Sequence, residues 1–171
     1  MTISLTGFMG SGKSSVGKEL ASILGCPLID LDSHIEDKVG ESIPEVFARG
    51  GESLFREIES ASLREVLSLE EADSVRILSL GGGTLEKEEN ALLVKEKTTC
   101  IYLKASVDTL VSNLENDFEG RPMLNGTDLR GRIVDLMSRR EDSYQGCASF
   151  VVEIDGKSFM EVAQEIISLL E

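Results

Sequence analysis

Short apolar runs bounded by turn residues recur along the chain: Ile3 to Thr6, Pro27 to Asp30, Val75 to Leu80, Thr99 to Leu103 and Phe150 to Ile154. Their length and their richness in Ile, Leu and Val predict strands. Between them Val16, Leu20, Ile23 and Leu24, and later Phe159, Val162, Ile166, Ile167 and Leu170, fall at spacings of three and four that predict helices. Ser42-Ile43-Pro44-Glu45 and Ser158-Phe159-Met160-Glu161 have the capping-box form, in which a hydroxyl and a glutamate reciprocally satisfy free amides at a helix start. Alternation of strand and helix predicts an α/β fold with a parallel sheet covered on both faces. Asn113 to Gly126 is polar, acidic and weakly periodic, and is read as a mobile loop.

Composition narrows this picture. With 171 residues, 41% of them hydrophobic, the chain suits one domain spanning 1–171, whose core needs no metal or disulfide staple. Asp and Glu outnumber Lys and Arg 31 to 17, giving a net charge of -14, which argues against nucleic acid or anionic membrane as partner. A small anion needs only local positive charge and stays open. Cys26, Cys100 and Cys147 are too few and too scattered for a disulfide framework or zinc cluster, and are read as reduced thiols in the cytoplasm. The N-terminus lacks a signal-like apolar core, and no window approaches a membrane span.

Gly7-Phe8-Met9-Gly10-Ser11-Gly12-Lys13-Ser14 matches G-x-x-x-x-G-K-[ST] between a predicted strand and a predicted helix. Glycines allow the backbone amides of Gly10, Ser11, Gly12, Lys13, Ser14 and Ser15 to wrap a phosphate at the positive end of the helix. Lys13 adds charge at the β and γ phosphates, and the Ser14 hydroxyl suits Mg²⁺. No Asn is followed by the Lys-x-Asp of a guanine-nucleotide switch, and the Val75 to Leu80 run ends in Gly81-Gly82-Gly83-Thr84 rather than a Walker-B acid. Asp30 and Asp32 stand at the end of the second predicted strand, where alternation sends both to one side; one suits Mg²⁺ or its water, the other a substrate hydroxyl.

Taken in order, the P-loop, Asp30-Leu31-Asp32, Phe55-Arg56-Glu57, Gly81-Gly82-Gly83-Thr84, Arg121-Pro122-Met123-Leu124, and Arg140 followed by Tyr144 resemble the shikimate kinase family across nearly the whole chain. The resemblance implies a three-layer P-loop kinase fold with a five-stranded parallel sheet of order 2-3-1-4-5, a substrate-binding region about residues 32–69 and a lid about 113–126. It implies Mg²⁺-dependent transfer of the ATP γ-phosphoryl group to the 3-hydroxyl of shikimate, with one Mg²⁺ per site, by a cytoplasmic monomer. On the same basis Asp32 orients or deprotonates the hydroxyl, and Asp30 joins Ser14 at the magnesium. Arg56 and Arg140, helped by backbone at Gly82, grip the substrate carboxylate, for which a guanidinium fork is suited. The four-residue spacing to Tyr144 selects Arg140 over Arg139. Arg121 closes over the transferring phosphate, and Phe47 and Phe55 line the pocket. Many relatives carry an adenine-stacking arginine before the lid, whereas Leu110 to Asn116 has no basic residue. Either another group, such as Lys157, covers the base or the base is held more loosely. A gluconate-type kinase and a non-catalytic nucleotide-binding regulator are the competing readings.

Overall fold

A computed structural model describes residues 1–69, 74–115 and 128–171. Among them, β1 (Thr2–Thr6), β2 (Leu28–Asp30), β3 (Arg76–Ser79), β4 (Thr99–Lys104) and β5 (Phe150–Glu153) pair in parallel in the order β2-β3-β1-β4-β5. This is the expected order. The helices are α1 (Lys13–Leu24), α2 (Leu31–Val39), α3 (Ile43–Ser68), α4 (Glu88–Lys97), α5 (Val107–Leu114), α6 (Leu129–Cys147) and α7 (Phe159–Leu170), with a 3-10 turn at Thr84–Glu86. Both capping boxes form: the Glu45 and Glu161 amides donate to Ser42 and Ser158 hydroxyls at 3.3 and 3.1 Å, and each glutamate reaches back.

Strand alternation divides the core between the two faces of the sheet. In β4, Cys100 and Tyr102 join the cluster that includes Phe8, Leu31, Phe55 and Tyr144, while Ile101 and Leu103 join the one built on Val16, Leu20, Val162 and Ile166 of α1 and α7. The central strand β1 is buried on both faces, although its sequence alternates apolar and polar residues. Ser4 is accommodated by a 2.7 Å hydroxyl pair with Thr98. The buried face of α1 is narrower than its sequence periodicity. Ile23 and Leu24 are 45% and 38% exposed, so the buried face of α1 is Val16, Gly17 and Leu20. Asn113 and Leu114, expected in the lid, end α5, with Leu114 in the core.

The order places β1 beside β3 and β2 beyond it, so the loops after all three emerge together at the carboxyl edge, where open α/β sheets bind ligands. A second device shapes that edge. Gly51 breaks α3 with φ 72° and ψ -172°, a conformation essentially reserved for glycine. The break lets Phe47 and Phe55 from either side of it meet with ring centroids 5.2 Å apart. Gly51→Ala should therefore lower unfolding stability by about 1–3 kcal/mol from backbone strain alone, even though no atom lies within 4 Å of the added methyl. Denaturant titration showing no loss would mean that α3 does not require the break.

Candidate active site

Residues of the loop after β1, the start of α1, the β2 end, the second half of α3, the triple glycine and α6 line one cavity of about 690 Å³. At its P-loop end Gly12 caps α1 with φ 87° and no side-chain acceptor, leaving the first amides of the helix directed at the loop. Lys13 Nζ donates to the carbonyls of Gly7 and Phe8 at 2.9 and 3.0 Å, which holds the ammonium within the curve of the loop. Ser14 Oγ donates to Asp30 Oδ2. Two hard oxygen ligands are thus adjacent, and such a pair suits Mg²⁺, which completes its shell with water and phosphate oxygens.

Asp30 and Asp32 share this end of the cavity for a reason other than strand alternation. The strand stops at Asp30, which caps α2 by accepting from the Ser33 amide at 3.1 Å, and Asp32 lies in the first helical turn. Helix initiation, rather than the pleat, therefore sets their relative direction. Asp32 Oδ1 is buried without a hydrogen-bond partner among the described residues. Burial, then the neighbouring Glu59 and Asp30 carboxylates, push its pKa up to about 6, against the opposing pull of Lys13 and Arg56.

The triple glycine is where the other end of the site converges. A methyl group on Gly81 would lie 3.0–3.1 Å from Glu59 Oε2, Thr84 Oγ1 and Asp32 Oδ1; one on Gly82 would lie 3.3 Å from Arg140 Nη1; one on Gly83 would overlap the Arg56 guanidinium. The absent side chains are what let two guanidinium groups and two carboxylates close in on one backbone turn. Glu59 is fully buried and satisfied, accepting from Arg56 Nη1 at 2.8 Å and Thr84 Oγ1 at 2.9 Å. Burial works against the Arg56 charge, but Glu59, Glu52 and Glu86 outweigh it and raise its pKa.

Arg140 is only 1% exposed, whereas Arg139 beside it is largely in solvent, as the spacing to Tyr144 predicts. Its guanidinium lies over the Phe8 ring, 5.7 Å from the centroid, and its Nε is 3.3 Å from Glu86 Oε2. None of its three nitrogens has a hydrogen-bond partner among the described residues. One turn further along α6, Tyr144 donates its hydroxyl to the Gly82 carbonyl and fixes the glycine turn against the helix.

Gly10, Ser11, Gly12, Lys13, Ser14, Ser15, Asp30, Asp32, Arg56, Gly82 and Arg140 all line the one cavity, as do Phe47 and Phe55. Arg121 and most of the expected lid lie outside the described residues. Sequence reasoning missed Glu59, Thr84 and Glu86. The spacing of Arg56 and Glu59, three apart on a helix, was the available signal for the first; Thr84 stood in the glycine motif without a role of its own, and Glu86 had no signal. Phe159, read in the sequence only as part of the apolar pattern of the last helix, is 51% exposed and lines the cavity, so close to Gly12 that a Cβ there would meet it at 2.9 Å. Asn113 lines the same end and donates to the Gly10 carbonyl at 2.8 Å.

Residues 9–171 match the family model for shikimate kinase. The shikimate kinase of Dictyoglomus turgidum is 41% identical over 171 residues, covering 99% of this chain and 96% of its own. That of Zymomonas mobilis is 41% identical over 169 residues, covering 99% and 93%. Among solved structures, shikimate kinase from Acinetobacter baumannii in complex with shikimate superposes with a TM-score of 0.93 at 31% identity, over 99% of this chain and 92% of that one. A gluconokinase from Sinorhizobium meliloti, with a TM-score of 0.61 at 15% identity over 98% and 89%, shares the fold alone.

The raised pKa of Asp32 has a thermodynamic sign. A group that holds its proton more tightly when folded subtracts stability as pH rises from its unfolded toward its folded value, here from about 4 to about 6. Asn cannot ionise. Asp32→Asn should therefore match the parent near pH 4 and exceed it at pH 7 by about 2–3 kcal/mol, since one pKa unit is about 1.4 kcal/mol. Thermal unfolding at the two pH values checks this; an equal or lower midpoint at pH 7 would contradict it.

Proposed function

The chain belongs to the shikimate kinase family, and from that premise we propose how its own residues carry the reaction. It is an ATP-dependent phosphotransferase with an alcohol acceptor, moving the γ-phosphoryl group of ATP to the 3-hydroxyl of shikimate in the pathway to chorismate and aromatic amino acids. One observation carries the division of roles: among the described residues the buried Nη1 and Nη2 of Arg140 have no hydrogen-bond partner, and neither has Asp32 Oδ1 across the glycine turn.

Arg140 and Arg56 take the substrate carboxylate, since a guanidinium matches it bidentately and a buried carboxylate supplies the missing acceptors. This places the ring hydroxyls toward Asp32. The attacking hydroxyl loses its proton to Asp32 as its oxygen bonds to the γ-phosphorus and the bond to the ADP oxygen breaks. Lys13 follows the charge onto the β and γ phosphates. Ser14 and Asp30 would hold Mg²⁺, which would supply positive charge to the phosphate oxygens. Arg121 stabilises the charge on the transferring group. Phe159, Lys157 and Asn113 edge the P-loop end of the cavity, which suits the nucleotide base. We assign the activity to a cytoplasmic monomer; the free thiols at Cys26, Cys100 and Cys147 suit a reducing compartment.

Incubation with shikimate and Mg·ATP should release ADP, and no release above background would sink the reading. Arg140→Lys should raise the shikimate KM about tenfold or more while changing the ATP KM little, because charge remains but the fork is lost. Lys13→Ala and Arg121→Ala should instead lower kcat by about a hundredfold or more, since both act on charge that develops in the transition state. Equal effects on both KM values would refute that division. The unprotonated form of Asp32 is the base, and kcat/KM reports the free enzyme, so kcat/KM for shikimate should fall as pH drops below about 6. A profile flat from pH 7 to 5 would remove Asp32 from that role.

A further inference from the structure

Glu86 closes the 3-10 turn that follows the triple glycine, and nothing in the proposed reaction uses it. Its Oε2 lies 3.3 Å from Arg140 Nε and 3.8 Å from Arg56 Nη2, while its Oε1 lies 4.0 Å from Arg139 Nε. One carboxylate oxygen therefore bridges the two guanidinium groups assigned to the substrate carboxylate. Arg56 has Glu59 and Glu52 as further partners, but among the described residues Glu86 is the carboxylate ion-paired with Arg140. It approaches Arg140 from the Nε side, and Nη1 and Nη2 have no hydrogen-bond partner among the described residues.

We propose that Glu86 sets the affinity for the substrate carboxylate, as a resident counter-ion that shares both guanidinium groups with it. The proposal rests on Arg56 and Arg140 gripping that carboxylate. Glu86 does not obstruct the fork; it neutralises it. Removing water from around Arg140 makes an unpaired charge there costly, so the empty site needs a partner for it. The same desolvation strengthens the repulsion between Glu86 and an arriving carboxylate, because both sit on one guanidinium pair away from bulk solvent. Glu86 thereby stabilises the ligand-free site and loosens its hold on any carboxylate ligand, product included.

Glu86→Gln isolates the charge, since the amide has nearly the shape of the carboxylate and keeps an oxygen that can face Arg140. By calorimetry it should bind shikimate about tenfold tighter than the parent, while the Mg·ATP Kd stays within about twofold. Glu86→Asp, which keeps the charge, should stay within about threefold of the parent. The carboxamide analogue of shikimate, which has no charge to repel, should bind parent and Glu86→Gln alike. Unchanged or weaker shikimate binding by Glu86→Gln overturns the proposal, and so does equal tightening of the carboxamide. Should Glu86→Gln be unfolded without ligand, refolding by millimolar shikimate supports the proposal and failure to refold overturns it. Arg140→Met separates this from the reading beneath it: weaker shikimate binding there, without tightening in Glu86→Gln, overturns the role of Glu86 alone. An unchanged Kd in Arg140→Met overturns the carboxylate grip and the proposal with it.

Discussion

Arg140 is buried with a guanidinium that no described hydrogen-bond acceptor meets, and a charge in that position persists only if its surroundings are arranged for it. Much of the cleft answers to this requirement. Phe8 offers its ring face from the P-loop, Glu86 its carboxylate from the turn after the triple glycine, and Tyr144 ties that turn to the helix that carries Arg140. The glycine turn has no side chains because the space beside it is taken by Arg56, Arg140, Glu59 and Asp32. Helix, turn and P-loop are thus fixed relative to one another by a single desolvated ion.

A strongly acidic chain that binds two anions needs its few cations concentrated, and the structure refines that idea. Lys13, Arg56, Arg140 and Lys157 do face one cavity, but Asp30, Asp32 and Glu59 line it with them, and Glu52 and Glu86 pair with the arginines from outside. The site is a balanced lattice of charges rather than a positive basin. Asp32 gains its basicity from the same crowding, since burial and the carboxylates around it disfavour its ionised form. A more stable protein would have an amide there and no base, which is the usual conflict between stability and a working active site.

The sequence carried the fold and the phosphate-binding half of the site because both are local. Strand runs, capping boxes and the P-loop are each written within a few consecutive residues, and the four-residue step from Arg140 to Tyr144 is one helical turn. What was not legible depends on distant pairing. Nothing in Gly81 to Glu86 announces that Glu86 meets Arg140, or that Thr84 donates to Glu59. Asp30 ends its strand as the apolar run predicts, but alternation does not carry on to Asp32, because Asp30 also caps the helix in whose first turn Asp32 lies. Nor does an aromatic at helical spacing, such as Phe159, disclose that its helix begins at the mouth of a cleft.

The continuity of the cavity bears on ligand design. One space of about 690 Å³ joins the P-loop to the arginine pair, so a single compound can address both substrate regions at once. Its anionic groups do not add independently. A carboxylate head suits the buried guanidinium of Arg140, but a further negative group placed between the two ends would meet Asp32 and Glu59. A neutral hydrogen-bond donor at that point would find the unpartnered Oδ1 of Asp32 instead. Selective inhibitors of this cleft are therefore better sought among compounds that alternate acceptor, donor and acceptor along their length than among those that accumulate charge.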